Sequence, residues 1–215
     1  MFITLEGIEG SGKTTQTDLL YDYLSKRGSR VLRTREPGGT RIGQQIRTIL
    51  LQTVHTELDN LAELCLIIAD RAQHVQEIIS PALLANEVVL CDRYADATVA
   101  YQGFGRGLEM RMIEELNRQA VGMCVPDLTI LLDCPVEMGL LRVQQRLEAN
   151  RHLVHEQRFE IEDAAFHQRV REGYLWISQR EPERIAVLDG TLPPERLHEQ
   201  VVELALASMK RVDVF

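Results

Sequence analysis

Short apolar runs alternate with longer segments of helical periodicity along this 215-residue chain. The apolar runs predict strands, because a short continuous apolar segment is expected where both faces of a strand are covered. The predicted strands are residues 2–5, 31–35, 88–91, 128–132 and 185–188. Since a helical segment separates each strand from the next, the sequence predicts an α/β fold: a five-stranded parallel sheet with helices on both faces.

The segments between the strands show helical patterns. The predicted helices are residues 14–27, 43–51, 58–86, 95–101, 108–121, 136–147, 164–180 and 194–209. We expect the third of them to break near Ser80 and Pro81, because proline disrupts a helix interior, and we expect the glycine-rich residues 103–107 to form a loop. The chain is predicted to form one domain over residues 1–215, with a mobile lid at about residues 142–160.

The composition is ordinary for a globular protein, with 45% hydrophobic and 26% charged residues and a formal net charge of -8. A protein that grips a nucleic-acid backbone needs a basic surface, so this acidic balance argues against nucleic acid as a partner. No run approaches the roughly 18 apolar residues of a membrane span. The N-terminal residues do not resemble a signal peptide, so we expect a cytoplasmic protein that does not enter a membrane.

The segment Gly7-Ile8-Glu9-Gly10-Ser11-Gly12-Lys13-Thr14 matches the phosphate-loop pattern G-x-x-x-x-G-K-[ST]. It follows a predicted strand and opens a predicted helix, as the motif requires. Its glycines let backbone amides converge on an anion, and the helix N-terminus adds partial positive charge. Lys13 is expected to neutralise the β- and γ-phosphates and Thr14 to hold Mg²⁺. The motif predicts binding of a nucleoside triphosphate but does not separate kinase, GTPase, ATPase and inert binding module.

A second candidate site follows the third strand, which ends in Asp92-Arg93-Tyr94. An acidic residue at the carboxyl end of a central strand can hold a metal ion's water shell or a substrate hydroxyl. The adjacent arginine can bind a phosphate with two parallel hydrogen bonds. A surface ion pair at the strand end is the alternative interpretation.

Further segments bring a family resemblance. With the phosphate loop and Asp92-Arg93-Tyr94, the segments Thr34-Arg35-Glu36-Pro37-Gly38-Gly39-Thr40, Ala100-Tyr101-Gln102-Gly103 and Pro126-Asp127-Leu128-Thr129 resemble bacterial-type thymidylate kinases, P-loop enzymes that phosphorylate nucleoside monophosphates. Order and spacing agree from residue 1 to about 139, and more loosely from 167 to the end. The resemblance implies transfer of a phosphoryl group from ATP to dTMP with Mg²⁺, and a homodimer formed through long helices.

The resemblance also implies roles at matching positions around the acceptor. Arg47 and Arg93 would clamp the acceptor phosphate, beside the loop that contains Glu36 and Pro37. Tyr101 would lie under the sugar and crowd out a ribose 2′-hydroxyl, and Glu9 would approach the 3′-hydroxyl. Besides Lys13, Arg93 and Glu9 are therefore candidate catalytic residues, and Thr14 and Asp92 are the candidate metal ligands.

At the base, the resemblance implies that Arg71 reaches a base carbonyl and that Thr98 and Gln102 line the thymine pocket. The segment Asp189-Gly190-Thr191 would lie near the adenine of ATP. The chain departs from the family at Ile67, where a phenylalanine usually stacks on the base. Because base–aromatic stacking is worth roughly 1–3 kcal/mol, isoleucine at this position could alter affinity or selectivity for the base.

The lid is the second departure. Related lids carry Arg-x-x-x-Arg-Gly and then Asp-Arg-x-Glu, whereas this chain has Arg142 and Arg146 followed by leucine, a longer insertion that includes Arg151, and then Arg158 preceded by glutamine. The phosphate loop contains no arginine, so the resemblance implies that a lid arginine stabilises the transferring phosphoryl group. The two candidates are Arg146 and Arg158.

Two rival hypotheses remain open at this stage. The chain could phosphorylate another monophosphate, such as dUMP, or accept several of them. It could also be a nucleotide-binding module that has lost catalysis, because its lid departs from the usual pattern.

Overall fold

A computed structural model of the chain describes residues 1–149 and 158–212, with side chains to residue 210. Its five strands are all parallel and confirm the predicted fold class: β1 Phe2–Glu6, β2 Val31–Arg35, β3 Val88–Asp92, β4 Leu128–Asp133 and β5 Ile185–Asp189. They lie in the order β2-β3-β1-β4-β5. The carboxyl ends of β1 and β3 are therefore neighbours, and Leu5 pairs with Asp92.

Nine α-helices occur in the described residues: α1 Lys13–Lys26, α2 Arg41–Leu51, α3 Asn60–His74, α4 Ser80–Leu84, α5 Ala95–Thr98, α6 Met110–Val121, α7 Val136–Ala149, α8 Ala164–Arg180 and α9 Pro194–Val212. Two π-helical segments, Val75–Ile79 and Val99–Gly105, extend α3 and α5. In the part of the chain that the structure covers, no helix combines the length and apolar character needed to cross a bilayer.

The core explains why the strands could be recognised. Every residue of β1 is buried, and so is nearly all of β4. One face of the sheet packs against α1 and α9 through residues such as Leu20, Leu24 and Val201. On the other face of the sheet, α8 contributes Val170 and Ile177 to a second apolar cluster. Full burial of such a side chain stabilises the fold by about 1.5–3 kcal/mol.

The predicted break near Ser80 and the predicted loop at residues 103–107 were both wrong. The helix does not break near Ser80: it widens into the π-helical turn 75–79, and Pro81 lies in the first turn of α4, where its missing N–H does least harm. Residues 103–107 are not simply a loop, because the helix runs through Gly105. This glycine permits close packing, since an added Cβ would lie 2.7 Å from the ring of Phe166.

Candidate active site

The phosphate loop connects β1 to α1 in a conformation that depends on glycine. Gly7, Gly10 and Gly12 have φ values of 140°, 72° and 100°, which side-chain-bearing residues rarely adopt. A Cβ on Gly10 would also lie 2.1 Å from the carbonyl oxygen of Gly139. Gly12 precedes α1, and no side chain in the described residues caps that helix. Its first amides are therefore available to an anionic ligand.

Lys13 is buried at the start of α1. Its ammonium nitrogen Nζ donates a hydrogen bond to the carbonyl oxygen of Ile8 at 2.8 Å. Burial and, to a smaller extent, the positive charge of Arg93 lower the pKa of Lys13 from 10.5 to about 8, against the opposing effects of nearby carboxylates such as Asp92. Because burial destabilises the charged form of Lys13, an anionic ligand beside its ammonium group would stabilise that form.

A hydroxyl and a carboxylate meet at the end of β3. Thr14 donates a hydrogen bond from Oγ1 to Oδ2 of Asp92 at 2.6 Å. These two oxygens fit Mg²⁺, which usually takes one or two protein oxygens and fills its remaining positions with water and substrate phosphates. Clusters of three or more histidine, cysteine, aspartate or glutamate residues that could hold a metal are not found among the described residues.

One cavity of about 810 Å³ joins the predicted sites. One end is lined by the phosphate loop and the first turn of α1, together with Gly190, Leu192 and Pro194. The other end is lined by most of the predicted acceptor residues: Glu36, Pro37, Arg47, Ile67, Arg71, Arg93, Thr98, Tyr101 and Gln102. Residues of both predicted sites therefore face one continuous space.

Arg93 occupies the junction between the two ends. Its backbone is left-handed, with φ 69°. Its NH2 group donates to Oε1 of Glu9 at 2.8 Å, and NH1 donates to the carbonyl oxygen of Gly7 and the hydroxyl of Tyr174, both at 3.0 Å. Its guanidinium also lies 4.8 Å from the ring centre of Tyr101. Arg93 is therefore held where the two phosphate ends would meet.

Glu9 is surrounded by donors. The hydroxyl of Tyr101 lies 2.6 and 2.7 Å from the two carboxylate oxygens of Glu9. Burial alone would raise the pKa of Glu9, but Arg93, His167, Lys13 and Tyr101 together hold it below its ordinary value. Glu9 is therefore a carboxylate that can accept a hydrogen bond from a sugar hydroxyl.

Sequence reasoning missed two buried groups behind this carboxylate. His167 is fully buried; its Nδ1 lies 3.4 Å from Oε2 of Glu9, and neither ring nitrogen has a hydrogen-bond partner among the described residues. Glu6 accepts from the backbone N–H of Tyr94 and the hydroxyl of Tyr174, and burial, with Asp96, raises its pKa to about 8. The local sequence does not predict that His167 contacts Glu9 or that Tyr174 contacts Glu6, because both contacts form only when α8 packs against the sheet.

Arg71 is fully buried at the base end of the cavity. Its guanidinium donates to Oε2 of Glu36 and the carbonyl oxygen of Tyr94, and its NH1 donates to Oγ1 of Thr98 and Oδ1 of Asn117, all at 2.6–2.9 Å. These bonds occupy four of its five N–H donors. Among the described residues, one N–H of NH2 has no partner and is therefore available to a ligand, and the geometry of the side chain is fixed by its four partners.

The remaining acceptor residues also have defined positions. Gln102 donates from Nε2 to Oε1 of Glu63 at 2.8 Å. Arg47 donates to the carbonyl oxygen of Pro37 at 3.1 Å, on the rim where the acceptor phosphate was expected. Ile67 is half-buried and lines the cavity, so it is more than a core residue.

The lid arginines separate into two groups. Arg146 lines the cavity and donates to Oε1 of Glu160 at 2.6 Å. Arg142, which is not one of the two predicted candidates, lies beside the phosphate loop, with its NH1 3.3 Å from the carbonyl oxygen of Gly10 and 2.8 Å from that of Gly190. Both side chains line the same cavity as the phosphate loop.

Arg158 is placed differently from our expectation. Its side chain is buried away from the cavity lining, where Nε donates to the carbonyl oxygen of Leu50 at 2.7 Å and NH2 donates to the carboxylate of Glu63. Here it joins the lid to α2 and α3, because a buried carboxylate attracts it more strongly than the solvated cavity does. The fourth arginine, Arg151, lies outside the described residues.

Comparisons with known proteins indicate one family. A family model described as thymidylate kinase matches residues 5–201. A thymidylate kinase of Trichlorobacter lovleyi is 51% identical over 209 residues, covering 97% of this chain and 98% of the relative. One of Geotalea daltonii is 53% identical over 189 residues, covering 88% of each chain. The crystal structure of thymidylate kinase from Ehrlichia chaffeensis superposes with a TM-score of 0.76 at 36% identity, covering 96% of this chain and 98% of that one.

Proposed function

The chain belongs to the thymidylate kinase family, and we propose that its cavity binds ATP at the phosphate loop and dTMP at the opposite end. The protein is a nucleoside monophosphate kinase that phosphorylates dTMP to dTDP with ATP. The observation that carries the proposal for the site is the continuity of the cavity, with loop amides at one end and Arg47, Arg71 and Arg93 at the other. Neither rival, a kinase for another nucleotide or an inactive module, is favoured by any observation.

Phosphoryl transfer needs little covalent chemistry from the protein. The transition state is loose and spreads negative charge over the transferring group, so positioning and cationic groups supply most of the rate. Loop amides and Lys13 hold the donor phosphates, and Arg93 with Arg47 holds the acceptor phosphate. The attacking oxygen already carries negative charge, so a strong general base is not required.

Mg²⁺ would be held by Thr14 and Asp92, whose oxygen atoms are already adjacent. When bound, the ion supplies positive charge to the donor phosphates. The protein's own contribution there is a fixed hydroxyl and carboxylate beside the loop, which orient the phosphate end of ATP toward Arg93.

Different side chains recognise the sugar, the polar edge of the base and the face of the base in dTMP. Glu9 accepts a hydrogen bond from the 3′-hydroxyl, and the ring of Tyr101 fills the space that a 2′-hydroxyl would need. Arg71 and Thr98 donate to a base carbonyl, and Gln102 contacts the neighbouring base nitrogen. Ile67 presses on the base face without stacking, so base selectivity depends more on hydrogen bonds here than in relatives with an aromatic residue.

The lid supplies the remaining positive charge. Arg142 and Arg146 lie on the cavity side of α7 and are placed to reach the transferring group. A role for Arg158 at that group would require its side chain to leave Glu63 and Leu50. We therefore rank Arg146 and Arg142 ahead of Arg158 as the lid cation.

The decisive test uses Arg93→Ala in a coupled assay of ADP release with dTMP. Loss of a charge-assisted phosphate clamp is expected to lower kcat/KM for dTMP at least about a hundredfold, while the dissociation constant of ATP changes little. Arg118→Ala serves as the control, because Arg118 is exposed and, within the described part of the chain, bonds only to Glu115 on its own helix. Equal losses in dTMP use and ATP binding for Arg93→Ala would contradict the assignment.

We further propose a homodimer located in the cytoplasm, as the family resemblance implies. Apolar side chains are exposed on α2 and α3, including Ile42, Ile49 and Leu61, and a second copy would cover them. Light scattering is expected to give twice the 24.5 kDa mass of one chain. A single-chain mass at assay concentrations would contradict the dimer without affecting the catalytic assignment.

A further inference from the structure

A fully buried carboxylate lies directly behind the base end of the cavity. Glu63, on α3, is completely inaccessible to solvent and does not line the cavity. Its Oε1 accepts from Nε2 of Gln102 at 2.8 Å and, at the longer distance of 3.3 Å, from Nε of Arg106. Its Oε2 accepts from Arg158 and, at 3.2 Å, from Arg106. No step proposed above uses Glu63, although side chains from two other segments of the chain, residues 102–106 and Arg158, converge on it.

This carboxylate determines which way the Gln102 amide points. A glutamine amide presents a donor on one side and an acceptor on the other, and packing alone hardly distinguishes its two orientations. A carboxylate paired with two guanidinium groups offers only acceptor oxygens. The NH2 group of Gln102 must therefore face Glu63, and its carbonyl oxygen must face the opposite side.

The opposite side is the cavity. Gln102 lines it, and in the described residues the oxygen Oε1 has no hydrogen-bond partner. Among the described residues, the fully buried side-chain atoms without a partner are Oε1 of Gln16, Nδ1 of His198 and both ring nitrogens of His167. Oε1 of Gln102 is not one of them, so this oxygen is not fully buried. It is therefore open to a ligand, and it can only accept.

The base end thus presents an ordered pair of groups. Gln102 offers an acceptor, and Arg71 offers its one uncommitted N–H donor. Thymine and uracil present the complementary order, an N3–H donor beside the O4 acceptor. Cytosine presents the reverse, an unprotonated N3 beside the N4 amino donor.

We propose that Glu63 is a positioning residue that makes the enzyme select thymine over cytosine by fixing the Gln102 amide. This inference rests on the proposed function, because it assumes that dTMP places its base beside Gln102. Glu63 itself touches no substrate. Its contribution is to exclude the flipped amide, which would offer a donor to N3–H of thymine and favour N3 of cytosine.

The test is Glu63→Gln, with kcat/KM measured for dTMP, dUMP and dCMP. Arg158 and the NH2 group of Arg106 would hold the new amide oxygen at the position of Oε2. The new amide NH2 would then replace Oε1, lose the 3.3 Å contact with Nε of Arg106, and face Gln102, which turns the Gln102 amide around. Since an unmatched buried polar contact reduces binding about tenfold or more, the dTMP/dCMP ratio is expected to fall at least about tenfold. The dTMP/dUMP ratio is expected to stay constant, because these bases present the same hydrogen-bonding edge.

Two further variants isolate the mechanism. Glu63→Gln in a Gln102→Leu background is expected to cause no additional change in the dTMP/dCMP ratio, because Glu63 acts through Gln102. Arg106→Gln is the matched control: it removes another partner of Glu63 and should lower stability while leaving the ratio unchanged. If Glu63→Gln does not fold, Glu63→Asp retains the charge but withdraws the carboxylate from Gln102, and the same fall in ratio is expected.

The possible outcomes are distinguishable. A dTMP/dCMP ratio unchanged in Glu63→Gln, or a fall that persists in the Gln102→Leu background, would overturn the role of Glu63. If Gln102→Leu alone leaves dTMP kinetics unchanged, the proposed base site itself is wrong. Normal dTMP selectivity in the parent protein with no response to Glu63→Gln would refute only this inference.

Discussion

Replacing Lys13 by methionine removes a buried ammonium group and keeps an unbranched side chain of similar length. In the folded protein burial lowers the pKa of Lys13 to about 8, whereas the ordinary value is 10.5. Below pH 8 the group is protonated in both the folded and unfolded states, so folding carries the full cost of burying the charge. Above pH 10.5 it is neutral in both states, and that cost is absent.

Between these limits the unfolded chain binds more protons than the folded protein, so stability rises with pH. One pH unit corresponds to about 1.4 kcal/mol, so the gap between the two pKa values amounts to roughly 3 kcal/mol. The free energy of unfolding of the parent protein, relative to Lys13→Met, is therefore expected to increase by up to this amount from pH 8 to pH 10.5. Using the variant as the reference cancels the titration of groups that do not interact with Lys13.

Urea unfolding of both proteins without ligands, at half-unit steps from pH 7 to pH 10.5, measures this difference. Lys26→Met is the matched control, because Lys26 is exposed at the other end of the same helix; its difference from the parent should not follow the same curve. ATP should bind the parent more weakly as pH rises above about 8, since the neutral amine no longer balances the phosphates. A stability difference that is flat or falls over this window would refute the reasoning.

Two further substitutions test the groups around the donor and acceptor. Tyr101→Phe removes the hydroxyl that bonds both oxygens of Glu9; since a hydrogen bond to a charged group is worth about 1.5–3 kcal/mol, kcat/KM for dTMP should fall roughly tenfold or more, with the preference for deoxyribose retained. Comparing dTMP with its ribose analogue checks this, and loss of the sugar preference would contradict it. Asp92→Asn removes one of the charges expected to hold Mg²⁺, so the Mg²⁺ concentration for half-maximal rate should rise about tenfold; an unchanged titration would place the ion elsewhere.

The strands and the phosphate loop could be predicted because their signals are local. A run such as 88–91 is apolar at every position, and in a sheet covered on both faces this pattern allows little else. The predicted strand ends were correct to within one residue. The loop motif likewise sets its own glycine conformations, so its structure depends little on distant residues.

Arg158 shows where local reasoning fails. The resemblance to related lids suggested a position at the transferring phosphoryl group, but in the structure the Arg158 side chain bonds to Glu63, 95 residues away. The sequence did not identify Glu63 as a buried partner of Arg158, since a glutamate near the start of a helix is usually solvated. Arg142 was undervalued for the same reason: its partners, the carbonyl oxygens of Gly10 and Gly190, come together only when the sheet forms.

The arginines of the cavity explain how an acidic chain can bind two polyanions. With a formal net charge of -8, the protein repels anions at long range, and two cations of the cavity are paired with carboxylates: Arg93 with Glu9, and Arg146 with Glu160. A phosphate must therefore compete with a carboxylate for these two guanidinium groups, and it succeeds only where it can offer more oxygens in the right geometry. This competition weakens the binding of anions in general. Only a ligand whose base and sugar also contact the protein is then expected to bind tightly. Selectivity for a nucleotide thus follows from charge pairing inside the site as much as from the shape of the cavity.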